Sequence, residues 1–263
     1  MKLSFQIAEP AGEAALLVQT TVVPEERAQV ARQLLSLREL NAKSVVFLTP
    51  PAGRGVLRLE TAGGEFSGNG LLQAAMAFAV SRGIRREKKF SLEIAGYDEP
   101  LTVHANPLTG QVTAELPPPH SVEKYPFGEK EVPLLQFPGT AYVILKGAAL
   151  PSDETLRPNL AALAQGLDLP AAGAIAWDFR AGTISSALLL PGADALRRPQ
   201  CCAASAAAVT AWQALHGREG HHKTALQQPG GVLQSVASLQ RGSLRRLTVS
   251  GPVALGPVYN LEF

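Results

Sequence analysis

Thr61-Ala62-Gly63-Gly64-Glu65-Phe66-Ser67-Gly68-Asn69-Gly70 is polar and glycine-rich, and it runs directly into Leu71–Val80, which is apolar on almost every side. A helix without a polar face belongs inside a domain. The stretch therefore predicts a buried helix opened by a tight loop and stopped at Gly83. Strands flank it. Ser44–Leu48 and Val56–Glu60 precede it around the turn Pro50-Pro51-Ala52-Gly53, and Phe90–Ile94, Leu101–His104 and Val112–Leu116 follow. Further upstream, residues 3–23 read as two strands around Pro10-Ala11-Gly12. Pro24-Glu25-Glu26 then opens an amphipathic helix whose stripe is Val30, Leu34, Leu35 and Leu37.

Pro117-Pro118-Pro119 interrupts the chain and marks a domain boundary, after which the plan repeats. Leu134–Phe137, Ala141–Leu145, Ala174–Phe179 and Ile184–Leu190 read as strands, and Leu156–Leu167 as a helix. A second apolar helix, Ala206–Leu215, follows Cys201-Cys202-Ala203-Ala204-Ser205 and ends at Gly217. Strands near Gly231–Val236, Leu244–Val249 and Pro257–Phe263 close the chain. Ser67 stands 16 positions before Gly83, and Cys201 stands 16 before Gly217. Phe78 and Trp212 then fall in register, as do Ala74 and Ala208, which fits either two similar halves or a coincidence of two alanine-rich helices.

Composition narrows the function classes. Of 263 residues 46% are hydrophobic, and 24 Lys+Arg against 22 Asp+Glu leave a net charge of +2. That balance excludes a disordered tail and argues against bulk electrostatic binding to nucleic acid or anionic membrane. No apolar run approaches the ~20 residues of a membrane span. Met1–Ile7 alternates like a strand and lacks the apolar stretch of a signal peptide. The two cysteines are adjacent, so no disulfide framework exists and a cytoplasmic, reducing home is the expectation.

Glu65-Phe66-Ser67-Gly68-Asn69-Gly70 feeding a buried helix resembles the first catalytic motif of the diaminopimelate epimerase superfamily. Cys201 opening the second buried helix, with Ser205 four residues on, is similar to the second motif, and Leu247–Gly256 is similar to the closing strands. The first motif looks closest to histidine racemases of opine-metallophore pathways. The resemblance implies an α+β fold of two pseudo-symmetric domains, each a β-sheet or barrel wrapped around a central helix. On this layout residues 1–116 with 250–263 form one half and 117–249 the other. It implies an active site in the cleft between domains, where the α-carbon of a free amino acid is inverted without pyridoxal phosphate or any other cofactor. In the family two cysteines work from opposite faces, one removing the α-proton and one donating. Cys201 and Ser67 are the catalytic positions that match, and a homodimer is the assembly kept open.

The physics fits those motifs. Two helix N-termini offer N–H groups and positive dipole ends to a substrate carboxylate, and the same dipole lowers a thiol pKa. Gly68, Asn69 and Gly70 would supply one set of donors; Cys202, Ala203, Ala204 and Ser205 the other.

Three departures matter. Ser67 stands where the family has its first cysteine, and a hydroxyl needs a base that only Glu65 could supply nearby. The serine either relays a proton to one face, or marks a lyase, single-acid–base isomerase or binder, or replaces a native cysteine by engineering. Serine–cysteine forms do occur among related proline racemase-like enzymes. Second, Cys201 is followed by Cys202-Ala203-Ala204 rather than the family's glycines, which preserves the N–H donors only if those residues take right-handed helical angles. The 16-residue register favours Cys201 as the working thiol and makes Cys202 a loop residue. Third, Glu13 follows Gly12 where the family has Asn; a carboxylate there suits a cationic group, or is a solvated turn acid. Thr140 and Tyr142 lie where the second domain offers a recognition loop, although Tyr142 also fits a core position. His221-His222 reads as a solvated loop without metal-ligand spacing, and no metal site is expected. Arg85-Arg86-Glu87-Lys88-Lys89 reads as a solvated turn.

Overall fold

The computed structural model describes residues 2–147 and 149–262. Met1 and Phe263, the ends of the first and last expected strands, lie outside the described residues. The chain forms two compact units. One runs to Ala114 and takes up the chain again from Ser250; the other spans Glu115–Val249.

The first unit contains β1 (Lys2–Pro10), β2 (Ala15–Val18), α1 (Pro24–Ser36), β3 (Ser44–Thr49), β4 (Arg58–Thr61), α2 (Gly68–Ser81), β5 (Lys88–Ile94), β6 (Tyr97–Asn106) and β7 (Gln111–Leu116). Its strands are hydrogen-bonded in chain order, and the chain's last strand (Ser243–Glu262) pairs with both β7 and β1, closing an eight-stranded ring. β2–β3 and β4–β5 are parallel because a helix crosses between each pair; β1–β2, β3–β4, β5–β6 and β6–β7 are antiparallel. The two helices take opposite sides of the sheet. Val30, Ala31 and Leu34 of α1 pack with Leu16, Val18, Val45 and Phe47. Strand alternation sends Ala15, Leu17 and Val46 to the other side, where α2 lies against β1, β2, β4, β5 and β6. Ala74, Ala75, Ala77 and Ala79 keep α2 thin enough for the ring interior, and Leu71 and Leu72 are fully buried. Each such leucine contributes roughly 1.5–3 kcal/mol. Leu37, expected in the α1 stripe, lies just past the helix end.

The second unit contains β8 (Ser121–Phe127), β9 (Lys130–Phe137), β10 (Thr140–Lys146), α3 (Asp153–Gly166), β11 (Ala172–Asp178), β12 (Thr183–Leu190), β13 (Ala195–Arg197), α4 (Ala203–Leu215), β14 (Gly220–Gln228), β15 (Gly231–Gln240) and the first part of β16 (Ser243–Glu262). Its sheet order is β8-β9-β10-β11-β12-β14-β15-β16, with β13 added to β12. The wiring repeats the first unit. β10–α3–β11 matches β2–α1–β3, and β12–α4–β14 matches β4–α2–β5, each pair of strands parallel. Leu156, Leu160 and Leu163 of α3 pack on Ala141, Val143, Ala172 and Ala174, whereas α4 packs on β10, β14 and β15. The fold is thus α+β, two pseudo-symmetric sheets each carrying one central helix.

Three segments differ from the sequence reading. Residues 121–127 pair with β9 as a hairpin through Gly128 (φ +62°), although only Leu134–Phe137 reads as a strand. Pro126 and Pro133 mask the pattern; β8 ends the sheet order, where proline is tolerated. His221 and His222 are not in a loop but on β14, opposite Ser238 and Ala237. Lys88 and Lys89 likewise open β5 rather than sit in a turn. Among the described residues no helix is long and apolar enough to cross a membrane.

Candidate active site

Each central helix begins with a side chain that caps it. Ser67 is the N-cap of α2, with extended backbone (φ −124°, ψ 100°), and its Oγ accepts the Gly70 N–H at 3.0 Å. Cys202 is the N-cap of α4, with matching backbone (φ −136°, ψ 110°), and its Sγ accepts the Ser205 N–H at 3.4 Å. Both residues are half-buried. A Cβ on Gly70 would lie 3.0 Å from Ser67 Oγ and 3.2 Å from Leu59 Cδ1, so glycine suits that position.

This geometry corrects the cysteine register. Ser67 has its equivalent in Cys202, and Cys201 is the fully buried residue before the cap. Counting back from the terminal glycines overshoots by one because α4 has 13 residues and α2 has 14. The same alignment sets Ala203, Ala204 and Ser205 against Gly68, Asn69 and Gly70. All three lie inside α4 and none has positive φ, so their Cβ atoms leave the N-terminal N–H groups of the helix in place. The Ser205 hydroxyl is buried without a hydrogen-bond partner among the described residues.

Cys202 is held from its backbone as well. Gln228, buried at the end of β14, accepts the Cys202 N–H at 2.8 Å and lies within 3.4 Å of the Cys202 carbonyl through its Nε2. The Tyr142 hydroxyl lies 3.9 Å from Cys202 Sγ. Ahead of the other central helix, Glu65 is engaged by Thr61. The Thr61 hydroxyl lies 2.7 Å from its carboxylate and 3.0 Å from its carbonyl, folding Glu65 back on its own turn.

Glu13 and Thr140 occupy equivalent places. Each follows a positive-φ glycine (Gly12, φ +82°; Gly139, φ +67°) in the turn ahead of the strand that crosses to a helix. Both are buried. The Gln73 side chain, on α2, donates to the carbonyls of Ala8 (3.0 Å) and Glu13 (3.2 Å), tying the Glu13 turn to the helix that Ser67 caps. Thr140 Oγ1 has no hydrogen-bond partner among the described residues. Glu13 is therefore not a solvated turn acid.

Sequence reasoning missed Gln73 and Gln228. A lone amide in the apolar run Leu71–Val80 was a readable signal for Gln73; Gln228, one of a pair before Pro229-Gly230, carried none. Among the described residues no three His, Cys, Asp or Glu side chains are grouped to hold a metal ion.

The class of protein, a pyridoxal-phosphate-independent racemase or epimerase, follows from a family match rather than from the fold alone. The chain belongs to the family described as the histidine racemase CntK N-terminal domain, which matches residues 2–259. No curated protein matches it significantly. Solved structures share the fold at low identity. A predicted epimerase from Pseudomonas aeruginosa is 14% identical with a TM-score of 0.70, covering 99% of both chains. A phenazine biosynthesis protein of the PhzF family from Bacillus anthracis is 13% identical, TM-score 0.68, covering 100% of both. A hydroxyproline epimerase from Agrobacterium vitis with bound trans-4-hydroxy-L-proline is 15% identical, TM-score 0.66, covering 99% of this chain and 92% of that one.

Proposed function

We propose that this protein inverts the α-carbon of a free amino acid, with histidine as substrate, using Cys202 at one face and Ser67 at the other. The observation that carries the reading is the pair of equivalent N-caps in a chain of the histidine racemase family. The Cys202 thiolate takes the α-proton: the C–H bond breaks, an S–H bond forms, and charge spreads into the substrate carboxylate. The first-turn N–H groups of α2 and α4 are donors suited to that carboxylate. The Ser67 hydroxyl returns a proton to the opposite face and its oxygen regains one from solvent, while the Cys202 thiol releases the abstracted proton to solvent and becomes thiolate again. A hydroxyl is a weaker acid than a thiol, so inversion is slower than a two-thiol pair would allow. Glu13, a buried carboxylate, suits the α-ammonium or a protonated imidazole. No cofactor is required, and two free cysteines suit a reducing, cytoplasmic compartment.

Ser67 also supports a second reading, in which chemistry is confined to one face, as in elimination or isomerisation. Incubation with L-histidine and a panel of L-amino acids in D₂O separates the two. Loss of the α-proton signal with appearance of the D-isomer supports the racemase. Loss of substrate to a new product supports one-face chemistry. Binding with neither change contradicts both.

A further inference from the structure

We propose that Tyr142 is a positioning residue whose phenol stabilises the ionised thiol of Cys202; this rests on Cys202 being the working thiol. Tyr142 is 2% exposed on β10, and its hydroxyl lies 3.9 Å from Cys202 Sγ. The ring is held in a built slot. Tyr142 pairs in register with Gly173, where a Cβ would come within 2.5 Å of the ring, and Phe137 meets the ring edge-on at 6.3 Å. The neighbouring residues Ala141 and Val143 point into the α3 core, so alternation sends Thr140 and Tyr142 to the face against which α4 packs.

Ionisation fixes the sense of the contact. A thiol donates or accepts, but a thiolate only accepts, so the phenol then donates to sulfur alongside the Ser205 N–H at 3.4 Å. An ordinary phenol, with pKa about 10, keeps its proton at a pH where a thiol of about 8.5 begins to lose its own. A hydrogen bond to the charged form favours that form. Charged groups on the packed strands lie elsewhere. β14 presents the uncharged Gln228 amide, with His221, His222 and exposed Lys223 towards its other end; β15 carries no charged residue; Lys146 of β10 lies over Trp212. The buried Cys201 thiol is the adjacent titratable group. The first unit repeats the turn but not the phenol. Counted from the equivalent glycines, Ala15 stands where Tyr142 does, and the cap of α2 is a hydroxyl that does not ionise at neutral pH. The two faces are thus built differently, with the base on the Cys202 side.

The test is the pH dependence of Cys202 alkylation by iodoacetamide, followed by mass spectrometry at that residue, in the full chain and in Tyr142→Phe. The variant is expected to move the inflection up by about one pH unit, a roughly tenfold slower reaction at pH 7. An unchanged inflection in a folded variant overturns the proposal. The wild type gives a second check that needs no variant: its inflection is expected below the ordinary thiol value of about 8.5, and one at or above it also overturns the proposal. Alkylation does not require turnover. Absence of α-proton exchange would count against the racemase reading while leaving this profile to be judged alone.

Discussion

Ser67 and Cys202 are the same residue position in two copies of one motif: each caps its unit's central helix by accepting the N–H three residues on, Gly70 at 3.0 Å and Ser205 at 3.4 Å. The cap role is structural and the choice of atom is chemical, so substitutions separate them. Ser67→Ala should cost about 1 kcal/mol in urea unfolding, the usual loss of an N-cap. Ser67→Cys should keep most of that stability and raise the rate of D-isomer formation, read by chiral chromatography, because a thiol donates and accepts a proton more readily than a hydroxyl.

Glu93 locks the loop between β3 and β4. Its carboxylate accepts the N–H groups of Ala52, Gly53 and Gly55, each at 2.8 Å, with Arg58 Nη1 3.9 Å away. The Gly55 N–H does most to hold its carboxyl below the ordinary 4.5; burial opposes this, and the Ala52 and Gly53 N–H groups and Arg58 add to the lowering. A group whose folded value is depressed stabilises the fold fully above its unfolded value and loses that contribution as pH falls through the folded one. Stability should therefore fall on acidification below about 4.5. Glu93→Gln should lower the urea midpoint at pH 7 and flatten that acid slope. An equal slope in both proteins would count against the lock.

The Glu13 carboxylate offers a test of substrate charge. Glu13→Gln keeps the shape of the turn and removes the charge. With histidine as substrate, KM is expected to rise about tenfold or more while the fold is retained, as loss of a charge-assisted contact implies. Steady-state kinetics of the two proteins checks this.

Gly173→Ala would place a Cβ 2.5 Å from the Tyr142 ring and 3.2 Å from the Ala187 carbonyl. Overpacking of this kind costs about 1–3 kcal/mol. Chemical denaturation should show a loss in that range.

The fold was readable where the chain uses simple signals. The glycine-rich loop before an all-apolar helix marks α2 as central, and the second apolar helix marks the repeat. Readability failed where side chains break periodicity: Pro126 and Pro133 hide the β8–β9 hairpin, and a polar His-His pair hides β14. The site was half legible. Ser67 and its loop stand out, but the helix-capping cysteine does not, because two adjacent cysteines differ only in which of them ends the extended segment. That is set by the length of α4, one residue shorter than α2, and no composition signal reports it. Gln228 and Tyr142 reach Cys202 from strands 26 and 60 positions away in sequence. Contacts of that range are products of the topology.

The most direct measurement is exchange of the substrate α-proton in D₂O, followed by proton NMR, for wild type, Cys201→Ala and Cys202→Ala side by side. Wild type and Cys201→Ala are expected to lose the α-proton signal, Cys201→Ala at a rate reduced only by the small cavity it creates. Cys202→Ala should be slower by about 10²–10⁴-fold, the usual loss when a general acid–base group is removed. Exchange that persists in folded Cys202→Ala and vanishes in Cys201→Ala would contradict the assignment of Cys202 as the working thiol.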